Sequence, residues 1–108
     1  MNATTTLLNL LYSKIPRRHT TDNVKEIYGL LNEYELLLKS IEAENGWYEK
    51  NTAIYFDEID MVRSLVKRSS DNKASKKNKD QFFDEASGTF KDSMQSLIAL
   101  YADGSRLA

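Results

Sequence analysis

Apolar residues in this chain recur at spacings of three and four, the period of an amphipathic helix, and not at the alternation of a strand. The first run covers about 4–15, with Leu7, Leu8, Leu11 and Ile15 in phase and Thr4 or Thr5 placed to cap it. Pro16 biases the residue before it away from helix, so "PRRHTT" reads as a loop. The second run is longer. Val24, Ile27, Leu31, Tyr34, Leu38 and Ile41 form a heptad-like stripe, which Tyr28, Leu30 and Leu37 widen. Asn23 with Glu26 resembles a capping box at its start, and Asn45-Gly46 reads as its stop, with glycine taking the left-handed conformation that closes a helix.

The seven-residue register nevertheless runs on. Steps of seven from Ile41 reach Tyr48, Tyr55 and Val62; steps from Leu38 reach Asn45, Thr52, Ile59 and Val66. One long helix over 23–69 would keep this register. Two polar members, and the cost of about 1 kcal/mol for glycine in a helix interior, favour a hairpin broken near 45–50. A third helix then covers about 51–69, with Tyr55, Ile59, Val62, Leu65 and Val66 inward. "SSDNKASKKNK" (69–79) holds no apolar residue larger than Ala74 and reads as an exposed basic loop. Asn78 and Gln81 restart a helix over about 79–102, with Phe83, Ala86, Phe90, Met94, Leu97 and Tyr101 on one face and Gly88 marking a close helix contact. The expected fold is all-α: a small antiparallel bundle of three long helices plus a short N-terminal helix, in one domain over 1–108.

Composition sharpens this reading. Gly (4) and Pro (1) are scarce, which disfavours the many turns of a sandwich or barrel. The absence of cysteine excludes disulfides, thiolate nucleophiles and Cys-based zinc sites, and suits a cytoplasmic location. The start "MNATTTLLNLLYSKIP" lacks the basic segment of a signal peptide. "LIALYA" is too short to span a bilayer, so no membrane partner is expected. The net charge of −1 hides segregation: residues 22–60 hold ten acids against three bases, and 63–79 hold seven bases against Asp71.

Chemistry is sparse. One histidine and no Glu-x-x-His pair argue against a carboxylate metal centre, and Asp57, Glu58 and Asp60 suit a solvated helix face. No calcium loop, glycine-rich phosphate loop or nucleophile elbow is present. A protein without enzymatic activity, cofactor or metal is therefore expected. Binding features remain. Lys73, Lys76, Lys77 and Lys79 could neutralise phosphates or meet an acidic protein, although a solvated connector is the simpler reading. Arg17 and Arg18, beside His19, could form a small anion-binding patch. Trp47 and Tyr48 sit at a predicted helix end, where they either plug the bundle, the favoured reading for Trp47, or meet a partner. Leu30, Leu36 and Leu37 widen the apolar arc of the second helix beyond one neighbour's needs, which is compatible with a homodimer.

The lead expectation is a non-enzymatic protein-binding helical module, an inhibitor, immunity factor or adaptor that occupies the surface of another protein. The alternatives are an accessory subunit contacting nucleic acid through its lysine-rich loop, and a structural homo-oligomer.

Overall fold

The structure, a computed structural model, describes residues 2–107, with side chains through Ser105. Among the described residues five helices follow one another: α1 (Ala3–Lys14), α2 (Thr21–Glu42), α3 (Gly46–Asn51), α4 (Ala53–Ser69) and α5 (Lys76–Leu107). No strand occurs among the described residues. The all-α class therefore holds, but the inventory differs from the four expected helices, because residues 46–51 form a short helix of their own.

Capping explains where the helices begin. The Asn2 side chain accepts from the Thr5 N–H at 2.9 Å, and Thr20 Oγ1 accepts from the Asn23 N–H at 3.0 Å. Thr5 and Asn23, expected as caps, are thus the donors three residues further on. The Asn23 side chain instead donates to the Arg18 carbonyl at 2.8 Å, tying down the α1–α2 loop. Asn45-Gly46 also differs from expectation. Asn45 caps the start of α3 by accepting from the Tyr48 N–H at 2.9 Å, and no glycine among the described residues has a positive φ. The pair opens a helix rather than closing one.

Side-chain pairs give the directions of packing. Tyr55 Oη lies 2.9 Å from Ser96 Oγ, and Ser93 Oγ donates to Glu58 at 3.0 Å, so α4 and α5 run antiparallel. Asn2 donates to Tyr101 at 3.0 Å and Gln95 to Tyr12 at 2.8 Å, so α1 is also antiparallel to α5. Tyr34 meets Ser93 and Glu44 meets Tyr101, which makes α2 parallel to α5. At 1.5 Å per residue, the 32 residues of α5 span about 48 Å. That matches the 49 Å long dimension of the molecule and makes α5 the spine for the others.

The core lies along this spine. Ile27, Leu31, Tyr34, Leu38 and Ile41 of α2 meet Ile59, Val62 and Val66 of α4 and Phe83, Phe90, Met94 and Leu97 of α5, all buried as their periodicity requires. A polar thread crosses it. The single proton of Ser93 Oγ goes to Glu58, so Tyr34 Oη must donate to Ser93, at 3.3 Å. Burial pushes the Tyr34 hydroxyl far above its ordinary pKa. Gly88, expected to mark a close contact, is exposed, and a Cβ there would meet nothing within 4 Å. The close approach is at Gly104, where a Cβ would overlap the Tyr48 ring.

Candidate partner-binding surfaces

The two aromatics at 47 and 48 separate. α3 is a single turn and a half whose register turns Tyr48 inward. Its ring is 2% exposed, stacks on Tyr101 at 5.2 Å and donates from its hydroxyl to the Tyr101 carbonyl at 2.8 Å. Tyr48 closes this end of the molecule, so its ring is not offered to a partner as the sequence reading allowed. Trp47, the favoured plug, is 37% exposed and rests edge-on against Tyr48 with ring centroids 5.4 Å apart. Ile54 and Met61, both exposed and seven and fourteen residues on, continue from Trp47 along α4.

The broad apolar arc of α2 has a clear outcome. Leu30 is buried and Leu37 packs partly against the core, whereas Leu36 is 67% exposed. On α1, Leu7 and Leu10 are 45% and 48% exposed. Together with Leu11 and Leu37 these three line an apolar groove of about 370 Å³ between α1 and α2. Since α1 and α2 run in opposite directions, Lys14 and Glu33 fall together at one end of it. Leu7 and Leu10 were not singled out as site residues. Their signal was available: with α1 held in the core by Leu8 and Leu11, Leu10 projects about 160° from Leu8 at 100° per residue.

The basic residues also change place. The expected loop over 69–79 is shorter, because α4 runs to Ser69 and α5 begins at Lys76. Ser75 Oγ accepts from the Asn78 N–H at 3.2 Å and caps α5. Lys76, Lys77 and Lys79 therefore sit in the first turn of a helix, and Lys73 alone of the four remains in the loop. The α1–α2 loop lies at the same end of the molecule. Arg17, Arg18 and His19 share a cleft with Lys76, and His19 and Lys25 share another with Lys79. A third cleft holds Lys67, Arg68 and Lys73. His19 Nδ1 lies 3.8 Å from Asp80, and its ring stands edge-on to buried Phe83, centroids 5.7 Å apart.

Among the described residues, no group of three or more His, Asp or Glu converges to hold a metal ion, and no helix is long and apolar enough to cross a membrane. The buried side-chain polar atoms of these residues all have hydrogen-bond partners. Between α2 and α4, Arg63 clamps Glu35 at 3.2 Å and reaches Asn32 at 3.0 Å. That guanidinium holds the Glu35 carboxyl below the usual carboxylate range. No family model, curated protein or solved structure matches the chain.

Proposed function

We propose that this protein is a non-enzymatic protein-binding module that occupies the surface of another protein through the α1–α2 groove. The observation that carries the reading is the exposure of Leu7, Leu10 and Leu36 around one apolar trough, where the core stripes of both helices are already satisfied. Large exposed leucines grouped in a groove are the surface feature of a docking site.

The occupant that fits is an amphipathic helix of the partner. From Leu7 to Lys14 the trough extends about 10 Å, or two helical turns. A helix laid in a groove inserts anchors at three- and four-residue spacing and is gripped from both sides. Lys14 and Glu33 at one end favour a partner whose apolar stripe ends in a paired acid and base. In this reading the protein works by covering a helix, as an inhibitor, immunity factor or adaptor does.

The test is capture from host lysate with the wild-type protein and with Leu36→Lys, followed by amide exchange on the purified complex. The expected result is a stoichiometric protein lost with Leu36→Lys, together with added protection at 7–14 and 33–37. Equal capture by both proteins refutes the groove. A wild-type dimer in light scattering that Leu36→Lys dissolves replaces the foreign helix with a second copy.

A further inference from the structure

The fold gathers charges that lie far apart in sequence. Residues 17–26 and 67–84 meet at one end of the molecule and hold nine bases, Arg17, Arg18, Lys25, Lys67, Arg68, Lys73, Lys76, Lys77 and Lys79, against five acids, of which Asp80 and Asp84 line the cleft of Arg17, Arg18 and Lys76. The rest of the chain holds six bases against eleven acids. Among the described residues, none of the nine bases lies within 4.0 Å of a carboxylate. The N-termini of α2 and α5 open at the same end and add the positive poles of their dipoles.

We infer that this end is a docking surface for the phosphate backbone of double-stranded nucleic acid, bound without regard to sequence. Net acidity does not oppose it. The molecule is 49 Å long, and charges are screened over about 8 Å at physiological ionic strength. A phosphate at the basic end therefore senses the local excess of cations and little of the acidic remainder. Duplex is favoured over single strands by the aromatics. Binding to single strands relies on bases stacking on exposed rings. Here Phe83 is buried, Phe82 is partly buried with the Arg68 guanidinium 5.4 Å above its ring, and Trp47 stands at the opposite end. An anionic lipid surface fits less well, because the exposed large apolar side chains lie along the flank and at the other end.

The size of the surface sets the expected contacts. The end is at most 23 Å across. A duplex carries one charge per about 1.7 Å of axis, so about 13 phosphates pass over it and four or five face it. Each contact contributes about −0.9 to the slope of log K against log salt, for a total of about −3.6 to −4.5.

The experiment is fluorescence anisotropy of a labelled 30-base-pair random duplex titrated with the full chain between 50 and 200 mM salt. The duplex should weaken about 150- to 500-fold over that range. Arg17→Gln/Arg18→Gln and Lys76→Gln/Lys77→Gln should each flatten the slope by about 1 to 2 units, because both pairs serve one surface. Lys39→Gln/Lys50→Gln, toward the other end, should leave it unchanged. Melting curves establish that each variant is folded. Absence of binding at 50 mM salt overturns the proposal. So does tighter binding of a single strand of equal length, or a slope that the arginine pair does not alter. Displacement by polyglutamate at equal charge concentration assigns the surface to acidic proteins instead and equally overturns it.

Discussion

Tyr48 and Trp47 are neighbours in sequence and should behave oppositely when cut to alanine. Tyr48→Ala empties a site that is 2% exposed, removes a ring stacked 5.2 Å from Tyr101 and frees the Tyr101 carbonyl from a 2.8 Å hydrogen bond. Aromatic-to-alanine changes in cores cost about 3–5 kcal/mol. The expected loss is about 3–4 kcal/mol, a large share of the 5–15 kcal/mol that holds a small domain together. Trp47→Ala removes an edge contact from a residue 37% exposed and should cost no more than about 1 kcal/mol. Gly104 supplies the internal control. Alanine there overlaps the Tyr48 ring, at about 1–3 kcal/mol for overpacking, against about 1 kcal/mol gained in helix propensity. In a Tyr48→Ala background the clash is gone, so Gly104→Ala should become stabilising by about 1 kcal/mol. The two sites then couple by about 2 kcal/mol in a double-mutant cycle. Urea denaturation followed by circular dichroism at 222 nm reads the wild type and all four variants, since tryptophan fluorescence is lost with Trp47, the only tryptophan. Equal losses from Trp47→Ala and Tyr48→Ala would refute the plug. So would a Gly104→Ala cost that is the same in both backgrounds.

Leu36→Lys should change stability by less than about 0.5 kcal/mol, whereas Leu38→Ala, two residues away and fully buried, should cost about 2–5 kcal/mol in the same urea assay. The Arg63–Glu35 pair should show a coupling of about 0.5–1 kcal/mol at pH 7, discounted because both side chains keep about 30% exposure. Glu35 is depressed in the folded state, so this contribution is present above the unfolded carboxylate value of 4.5 and disappears as pH falls through the lower folded value. Cycles repeated at pH 7 and pH 3 check the sign. Tyr34 is shifted the other way: its contribution is whole below the unfolded value of 10.0 and is lost as pH rises above it. Tyr34→Phe should therefore blunt the fall in urea midpoint between pH 8 and pH 11. Tyr101, raised chiefly by burial, leaves part of that fall in place.

Periodicity made the core legible because burial in packed helices follows a stripe, and every member of the expected α2 stripe except half-buried Val24 is buried. Cap positions were harder to read. A capping oxygen and the N–H it serves lie three residues apart, and in "NATT" and "TTDN" polar residues occupy both places. Only backbone geometry tells acceptor from donor. The lysine-rich stretch misled for a related reason. Lysine is a good helix former with nothing to bury, so Lys76–Lys79 extend α5 without any apolar signal. The convergence of Arg17 and Arg18 with Lys76 could not be read from the chain at all. It depends on α2 and α4 returning two distant loops to one end.

The persistent heptad across residues 38–66 is the most instructive pattern, because it supported a single rod and the chain is nevertheless reversed. α2 ends at Glu42 and α4 runs back against it, as the Arg63 clamp to Asn32 and Glu35 requires. The register survives because it belongs to α3 and α4 alone. Tyr48, Thr52, Tyr55, Ile59, Val62, Val66 and Ser69 are all buried, at alternating steps of four and three. At the joint, Thr52 Oγ1 donates to the Tyr48 carbonyl at 2.7 Å and the Tyr55 N–H to the Thr52 carbonyl at 3.0 Å. A buried threonine thus carries one inward stripe across a kink between two helices. Its agreement in phase with Ile41 is then a matter of loop length. A seven-residue pattern reports which residues share a face, and it carries no information on whether the backbone between two of its members has turned around.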